Sequence, residues 1–142
     1  MVLAIDFDGT IVEHAYPEIG RTRLFAFETL KQLEKQGHQL ILWTYRSGKE
    51  LDEAVEFCRG RGLEFFAVNK NYPDEVFDEA SISRKIYADV YIDDRNVGGF
   101  LGWSKIWELL NAGSPETMQA MQREANLNKA SFGSKLKGLF KS

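Results

Sequence analysis

Acidic side chains stand directly after two short apolar runs of this 142-residue sequence. Asp6 and Asp8 follow VLAI, Asp93 and Asp94 follow VYI, and Thr44 ends the run LILWT between them. A lone aspartate after a strand usually forms a turn or caps a helix. Several carboxylates at one edge of a sheet would repel one another unless a cation held them, and hard oxygen ligands suit magnesium. The set therefore predicts a magnesium site.

The charge of these groups indicates what the site would bind. Three ionised aspartates, about −3 in sum, would repel a phosphate dianion, whereas one magnesium ion and one lysine would bring that charge close to zero. Lys85 precedes the run that ends in Asp93 and Asp94, so we expect it to approach the same region. The residues together predict a site for a phosphate group.

Short apolar runs alternate with amphipathic segments along the chain. Strands are expected at 2–5, 38–44, 63–68 and 88–92, with helices over 22–36 and 49–59. In the first helix Leu24, Phe27, Leu30 and Leu33 would share a face, and Gly37 would end it. This alternation predicts an α/β fold with a central parallel sheet covered on both faces. Ligands of such sheets bind outside the carboxyl ends of the strands.

The ordered set resembles the four motifs of the haloacid dehalogenase superfamily. VLAIDFDGTI resembles the first motif, an apolar strand followed by DxDGT, and LILWT resembles the second. Lys85 fits the lysine of the third motif, and VYIDD fits the acidic pair of the fourth, so the match spans residues 2–94 in the family's order. The resemblance implies a Rossmann-like three-layer sandwich. It also implies a magnesium-dependent phosphatase, because Asp8 is a residue that dehalogenase members lack.

The resemblance implies a role for each matching residue. Asp6 would attack phosphorus and form an aspartyl-phosphate, and Asp8 would exchange protons with the leaving group and the water. Lys85 would neutralise charge on the phosphoryl group. Magnesium would be held by Asp6, the Asp8 carbonyl, Asp93 and Asp94. The phosphoryl oxygens would be bound by Thr44 and by the backbone after the nucleophile, which includes Gly9 and Thr10.

The sequence departs from many family members in one respect. The segments from Thr10 to Thr44 and from Thr44 to Lys85 leave no room for a cap domain, which usually recognises the substrate. Contacts to the substrate would then come from loops, and our candidates are Tyr45, Arg46 and Asn69. Weaker candidates are Asn71, Arg95 and Asn96, and a small flap formed by Glu13, His14 and Tyr16.

Bulk properties narrow the function classes. A net charge of −3 makes a nucleic-acid partner unexpected, because phosphate neutralisation needs a basic surplus. Cys58 is the single cysteine, so no intrachain disulfide forms, and the N-terminal sequence has neither a signal-peptide pattern nor a membrane span. We therefore expect a cytoplasmic enzyme that acts on a small phosphorylated metabolite.

Other functions stay open at this point. They are a polynucleotide end phosphatase and a catalytically silent phosphate-binding protein. A response-regulator receiver domain is disfavoured, because Val68 and Asn69 stand where its phosphorylated aspartate would follow the third strand.

The C-terminal part differs in character from the rest. We expect a catalytic core over 1–113 and an extension over 114–142 whose last twenty residues are basic. The extension could be an exposed tail, a helix for self-association, or a contact to a membrane surface or nucleic acid. Leu136, Leu139 and Phe140 at helical spacing suggest a homo-oligomer in which this segment or the 13–21 loop covers a neighbour's site.

Overall fold

A computed structural model describes residues 1–112, together with residues 123, 126–127, 130–131 and 133–138. The chain forms a four-stranded, all-parallel sheet flanked by helices, which confirms the predicted α/β class and agrees with a Rossmann-like three-layer sandwich. The spatial order of the strands is β3-β2-β1-β4. The bounds of the strands are β1 Val2–Ile5, β2 Gln39–Leu42, β3 Ala67–Val68 and β4 Val90–Ile92.

The register of the sheet aligns the ends of three strands. Ile5, the last residue of β1, lies opposite Leu42 of β2 and Ile92 of β4. The amide of Asp6 then donates to the Ile92 carbonyl at 3.0 Å, and the amide of Trp43 donates to the Ile5 carbonyl at 2.8 Å. The residues that follow these strands therefore leave the sheet at the same level.

The two faces of the sheet are covered differently. The helices α1 (Ala26–Lys35), α2 (Gly48–Arg59) and α3 (Trp103–Leu110) share one apolar core with one face of the sheet. The opposite face packs against Ile86 and Ala88, which belong to the long connection 69–89. Right-handed crossovers explain this arrangement. The steps β1–β2 and β2–β3 move one way along the sheet, whereas the step from β3 to β4 returns past β1 and crosses the other face.

Helix α1 begins later than the sequence pattern predicted. The expected helix started at residue 22, but Thr22 forms an antiparallel bridge with Val12, and the Arg23 amide donates to the Ile11 carbonyl at 2.8 Å. Phe25 then adopts a left-handed backbone with φ of 64°, which an α-helix cannot contain. Leu24 is accordingly 76% exposed and does not join the core. The predicted end is confirmed, because Gly37 follows the helix with φ of +90°.

Other boundaries also shift. The predicted third strand over 63–68 shortens to Ala67–Val68, and the fourth begins at Val90. Helix α3 was missed by the sequence analysis. It buries Trp103, whose indole N–H donates to the Thr10 carbonyl at 2.8 Å and so ties the helix to the loop after β1.

The expectations for the C-terminal segment lie largely outside the described residues. Residues 113–122 and both Leu139 and Phe140 belong to the undescribed part, so the domain boundary and the proposed apolar stripe stay predictions. Within the described part of the chain, no helix has the length and apolar character needed to cross a membrane.

Candidate active site

Three carboxylates converge where β1 and β4 end. Asp6 follows β1, and Asp93 and Asp94 follow β4. One oxygen of each lies within 4.8 Å of the corresponding oxygens of the other two. The sheet register produces this grouping, since parallel neighbouring strands deliver their next residues to the same edge.

The environment of Asp6 opposes its ionisation. Burial, followed by the charge of Asp93 and a hydrogen bond with Asp94, raises the pKa of Asp6 from 3.8 to about 8. The Thr10 hydroxyl donates to Asp6 Oδ2 at 3.0 Å. This bond and a hydrogen bond from the Phe7 amide lower the pKa of Asp6, but by less than burial, Asp93 and Asp94 raise it. Like charges brought together in a partly buried place account for the shift.

A divalent cation fits this group of residues. All three side chains offer carboxylate oxygens, the ligand type that magnesium prefers. Asp94 Oδ1 is also buried, and no N–H or hydroxyl group among the described residues donates to it. A buried acceptor without a partner is costly, and a cation between the carboxylates would remove that cost. The predicted magnesium ligands Asp6, Asp93 and Asp94 therefore lie together, whereas the role of the Asp8 carbonyl stays a prediction.

His14 is a partner of the cluster that the sequence analysis did not identify. Its Nε2 lies 2.7 Å from Asp94 Oδ2. Burial acts to raise the pKa of Asp94, but its hydrogen bonds with His14 and Asp6 outweigh burial and hold that pKa below its usual value. The sequence placed His14 in a flap near the site, yet its partner lies 80 residues away along the chain. Nothing local in the sequence signals that pairing.

Gly9 makes the close approach of His14 and Asp94 sterically feasible. Its φ is +88°, and a Cβ there would overlap both Asp94 Oδ2 and His14 Nε2. Gly9 and Thr10 were expected to bind phosphoryl oxygens. Their amides instead bond within the loop, Gly9 to the Val12 carbonyl at 2.7 Å and Thr10 to the Phe7 carbonyl at 3.2 Å. Both residues shape the loop at the site, and their contact to phosphoryl oxygens stays a prediction.

Arg46 is an internal clamp. Its side chain is 0% exposed, and it donates to both carboxylate oxygens of Asp8, from Nε at 2.7 Å and from Nη2 at 2.8 Å. The same guanidinium donates to the carbonyls of Pro17, Glu18 and Glu50. Every guanidinium nitrogen is thus engaged by the protein. Arg46 thus orients Asp8, and its expected contact to substrate stays a prediction.

Thr44 and Asn69 are linked at the end of β2. The Asn69 side-chain oxygen accepts from the Thr44 amide at 2.9 Å, and the Thr44 hydroxyl oxygen accepts from the Arg46 amide at 3.2 Å. Asn69 has φ of 53°, a left-handed conformation that asparagine tolerates better than most residues. Asn69, expected to contact substrate, instead fixes the backbone of Thr44.

Of the remaining candidates for substrate contact, two form hydrogen bonds within the protein and one lines the cavity over the strand ends. The Asn71 side chain bonds Glu75 and the Tyr87 amide within the connection 69–89. Asn96 donates to the Asp93 carbonyl at 2.6 Å and so shapes a turn. Arg95 is exposed and lines the cavity described next.

Lys85 contacts an aromatic side chain of β4. Its ammonium group sits 5.1 Å from the centre of the Tyr91 ring, and the side chain is exposed. Lys85 is absent from the described residues that line the cavity. Its role in neutralising the phosphoryl group stays a prediction.

An open cavity of about 690 Å³ lies over the strand ends. Acidic, aromatic and basic side chains share its wall. The lining residues are Asp6, Asp8, His14, Tyr16, Trp43, Thr44, Tyr45, Arg46, Asp93 and Arg95.

The fold and this site define the chain as an α/β protein with a carboxylate cluster at the carboxyl edge of a parallel sheet. No protein-family model matches the sequence, and no curated protein matches it. A solved structure of a conserved protein coded by a locus from Bacteroides thetaiotaomicron is 56% identical to the chain. The match covers 79% of this chain and 90% of that one, with a TM-score of 0.75. The chain belongs to the family of that conserved protein.

Proposed function

We propose that the protein is a magnesium-dependent phosphomonoester hydrolase that uses Asp6 as its nucleophile on a small phosphorylated metabolite. The observation that carries this proposal is the convergence of Asp6, Asp93 and Asp94 within 4.8 Å, with Asp6 and Asp93 on the wall of an open cavity. A carboxylate cluster with an unsatisfied buried oxygen suits a cation, and a cation there would in turn attract a phosphate. Magnesium, when bound, would supply positive charge against the phosphoryl oxygens.

Asp6 must be ionised to act as a nucleophile, and a cation bound at the cluster would favour that form against the raised pKa of the side chain. The Thr10 hydroxyl donates to Oδ2 at 3.0 Å, which helps to fix the orientation of the carboxylate. In the proposed reaction one Asp6 oxygen forms a bond to phosphorus as the bond to the leaving oxygen breaks. Water then attacks the same phosphorus atom, releasing inorganic phosphate and restoring the carboxylate. Positioning of the reacting atoms is a large part of such catalysis.

Asp8 takes the proton-transfer role in this proposal. It lines the same cavity two residues after Asp6, and Arg46 fixes its direction. Arg46 donates to both of its oxygens and so holds the carboxyl group of Asp8 in one orientation. In the first step Asp8 would pass a proton to the leaving alkoxide. It can then take a proton from the attacking water.

The Thr44 hydroxyl completes the binding of the phosphoryl group. Its oxygen accepts from the Arg46 amide, so its own proton is left to donate into the cavity. Asn69 holds the Thr44 backbone in place. Donors that are fixed before the reaction stabilise developing charge without a cost of reorganisation.

Phosphate release from a panel of phosphomonoesters tests this function. The wild type is assayed with magnesium and with a chelator, beside Asp6→Asn. Asp52→Asn is the matched control, because Asp52 is an exposed aspartate on α2. We expect magnesium-dependent release by the wild type and the control, and none by Asp6→Asn. Retention of most of the rate in Asp6→Asn would contradict the proposal.

A further inference from the structure

We propose that the ester bound at this site is a nucleoside monophosphate, whose base stacks on the aromatic side chains that border the cavity. The inference rests on the proposed function, since it names the substrate class of the same site. It is based on the aromatic side chains and Arg95 of the cavity wall, which have no role in the proposed phosphoryl transfer.

Three aromatic side chains border the cavity beside the carboxylates: Tyr16, Trp43 and Tyr45. Tyr45 is 96% exposed and Tyr16 is 56% exposed. Aromatic rings gain much from burial, and tyrosine is favoured where a ring face must meet a ligand. Single exposed apolar residues are ordinary on a protein surface. Three aromatic residues on one cavity that also holds the reacting group indicate a surface for a flat ring.

Both tyrosines are attached to fixed parts of the backbone. Tyr45 follows Thr44, whose amide is held by Asn69. Tyr16 packs one side of its ring against the Arg46 guanidinium, 5.2 Å from the ring centre. The same guanidinium holds the carbonyls of Pro17 and Glu18, just beyond Tyr16. The Tyr16 ring is therefore placed in advance, and a ring so placed loses little conformational entropy when a ligand stacks on it.

The volume of the cavity also exceeds what phosphoryl transfer needs. At about 690 Å³ it falls in the range of pockets that hold a whole small molecule. The carboxylates account for the phosphate end only. The remaining space, bounded by the aromatic residues, is left for the leaving group.

Arg95 supplies polar recognition on the same wall. Its side chain is exposed, and its backbone amide donates a hydrogen bond to Asp93 Oδ1 at 2.8 Å. A guanidinium can donate to the acceptor atoms at the edge of a base or stack on its face. A flat ring with hydrogen-bond acceptors, attached to a phosphate ester, is the chemistry of a nucleotide.

Charge favours a mononucleotide over the end of a polynucleotide. The cavity wall carries Asp6, Asp8 and Asp93, while the one arginine there that is not clamped internally is Arg95. Further phosphates of a chain would meet acidic groups. A mononucleotide brings a single phosphate, and that group goes to the cation site.

The test compares specificity between two substrates. We measure kcat/KM with magnesium for a nucleoside 5′-monophosphate and for glycerol 3-phosphate, in the wild type, Tyr45→Ala and Tyr45→Phe. Stacking of one base on one aromatic ring predicts that Tyr45→Ala lowers the nucleotide-to-glycerol ratio about 5- to 150-fold. Tyr45→Phe, which keeps the ring, retains most of that ratio. Tyr87→Ala is the matched control, because Tyr87 is 70% exposed and lies outside the described lining of the cavity.

A binding measurement separates this inference from the proposed function. Calorimetry with Asp6→Asn, magnesium and the same nucleotide detects recognition without turnover, and adding Tyr45→Ala should weaken binding by a similar factor. Glycerol 3-phosphate hydrolysed as well as the nucleotide, with a ratio unmoved by Tyr45→Ala, would overturn the inference and leave the proposed function standing. Preference for an end-phosphorylated oligonucleotide would overturn the mononucleotide assignment. If no ester is hydrolysed the proposed function fails, and absence of nucleotide binding would then overturn the inference too.

Discussion

Arg46 grips the carboxylate of Asp8 through two parallel hydrogen bonds, from Nε at 2.7 Å and Nη2 at 2.8 Å. The arginine side chain is fully buried, and that of Asp8 is 16% exposed. One guanidinium thereby joins the loop after β1, the backbone at Pro17 and Glu18, and the first turn of α2. The general acid–base candidate and the loop over the site are held by the same group.

The first prediction concerns the stability that this clamp provides. Arg46→Met keeps the apolar stem but leaves the Asp8 carboxylate and several carbonyls without their donor. Breaking a buried pair by removing one partner costs about 3–5 kcal/mol. Urea denaturation should show a loss of that size in the free energy of unfolding.

Arg21→Met is the control for the clamp. Arg21 pairs with Glu13 on the same loop, but the two side chains are 88% and 48% exposed. An exposed pair contributes at most about 1 kcal/mol. Similar losses in the two variants would show that burial of the Arg46–Asp8 pair has no special weight.

A second prediction follows from the position of Gly9. Gly9→Ala would push a methyl group into Asp94 and His14, whereas Gly37→Ala, at nearly the same φ, meets nothing within 4 Å. Both changes should cost on the order of 1 kcal/mol of stability from the left-handed backbone. Only Gly9→Ala should also weaken magnesium binding and phosphate release. Magnesium titration followed by Tm distinguishes the two variants, and equal magnesium responses would refute the steric role of Gly9.

The grouping of carboxylates at the sheet edge could be predicted because it depends on short patterns in the sequence. Apolar runs indicate strands, parallel strands bring their ends to one edge, and so Asp6 and Asp93 were expected to meet. The pairing of Arg46 with Asp8 could not be predicted from the sequence, since Asp8 lies 38 residues away along the chain. The same holds for His14 and Asp94. The start of α1 was predicted wrongly from the spacing of apolar residues such as Leu24. Thr22 and Arg23 pair with the loop after β1, and this tertiary pairing prevents the helix from beginning there.

A third prediction concerns the proton-transfer role of Asp8. An alkoxide leaving group needs a proton in the transition state, whereas nitrophenolate leaves readily without one. Asp8→Asn should therefore reduce kcat on an alkyl phosphate by about 10²- to 10⁴-fold and on p-nitrophenyl phosphate by much less. Losses of equal size on both substrates would mean that Asp8 acts through structure or through the metal site.

The raised pKa of Asp6 gives a fourth prediction, for the metal-free protein. A folded pKa of about 8 against an ordinary 3.8 means that Asp6 contributes its stabilisation fully below pH 3.8 and loses it as pH rises to about 8. Asparagine at this position does not titrate. The Tm of Asp6→Asn relative to the wild type should therefore rise across that interval and then level off.

The size of this effect follows from the same shift. Each pKa unit corresponds to about 1.4 kcal/mol, so the stability of the wild type relative to Asp6→Asn should change by a few kcal/mol across this pH interval. At roughly 2–4 °C per kcal/mol, that change corresponds to several degrees in Tm. Magnesium should raise the Tm of the wild type at pH 8 by binding the ionised cluster, and raise that of Asp6→Asn less. A Tm difference that stays constant between pH 4 and 8 would contradict the electrostatic account of the cluster.

The central claim is that Asp6 becomes phosphorylated, and acid quenching during turnover tests it most directly. The enzyme is mixed with magnesium and p-nitrophenyl phosphate, quenched in acid at early times, and examined by intact mass and by mapping of the peptide that contains Asp6. We predict a single added phosphoryl group on Asp6, absent from Asp6→Asn and absent when magnesium is chelated. Turnover by the wild type with no phosphoryl group on Asp6 at any time, together with undiminished turnover by Asp6→Asn, would contradict the account.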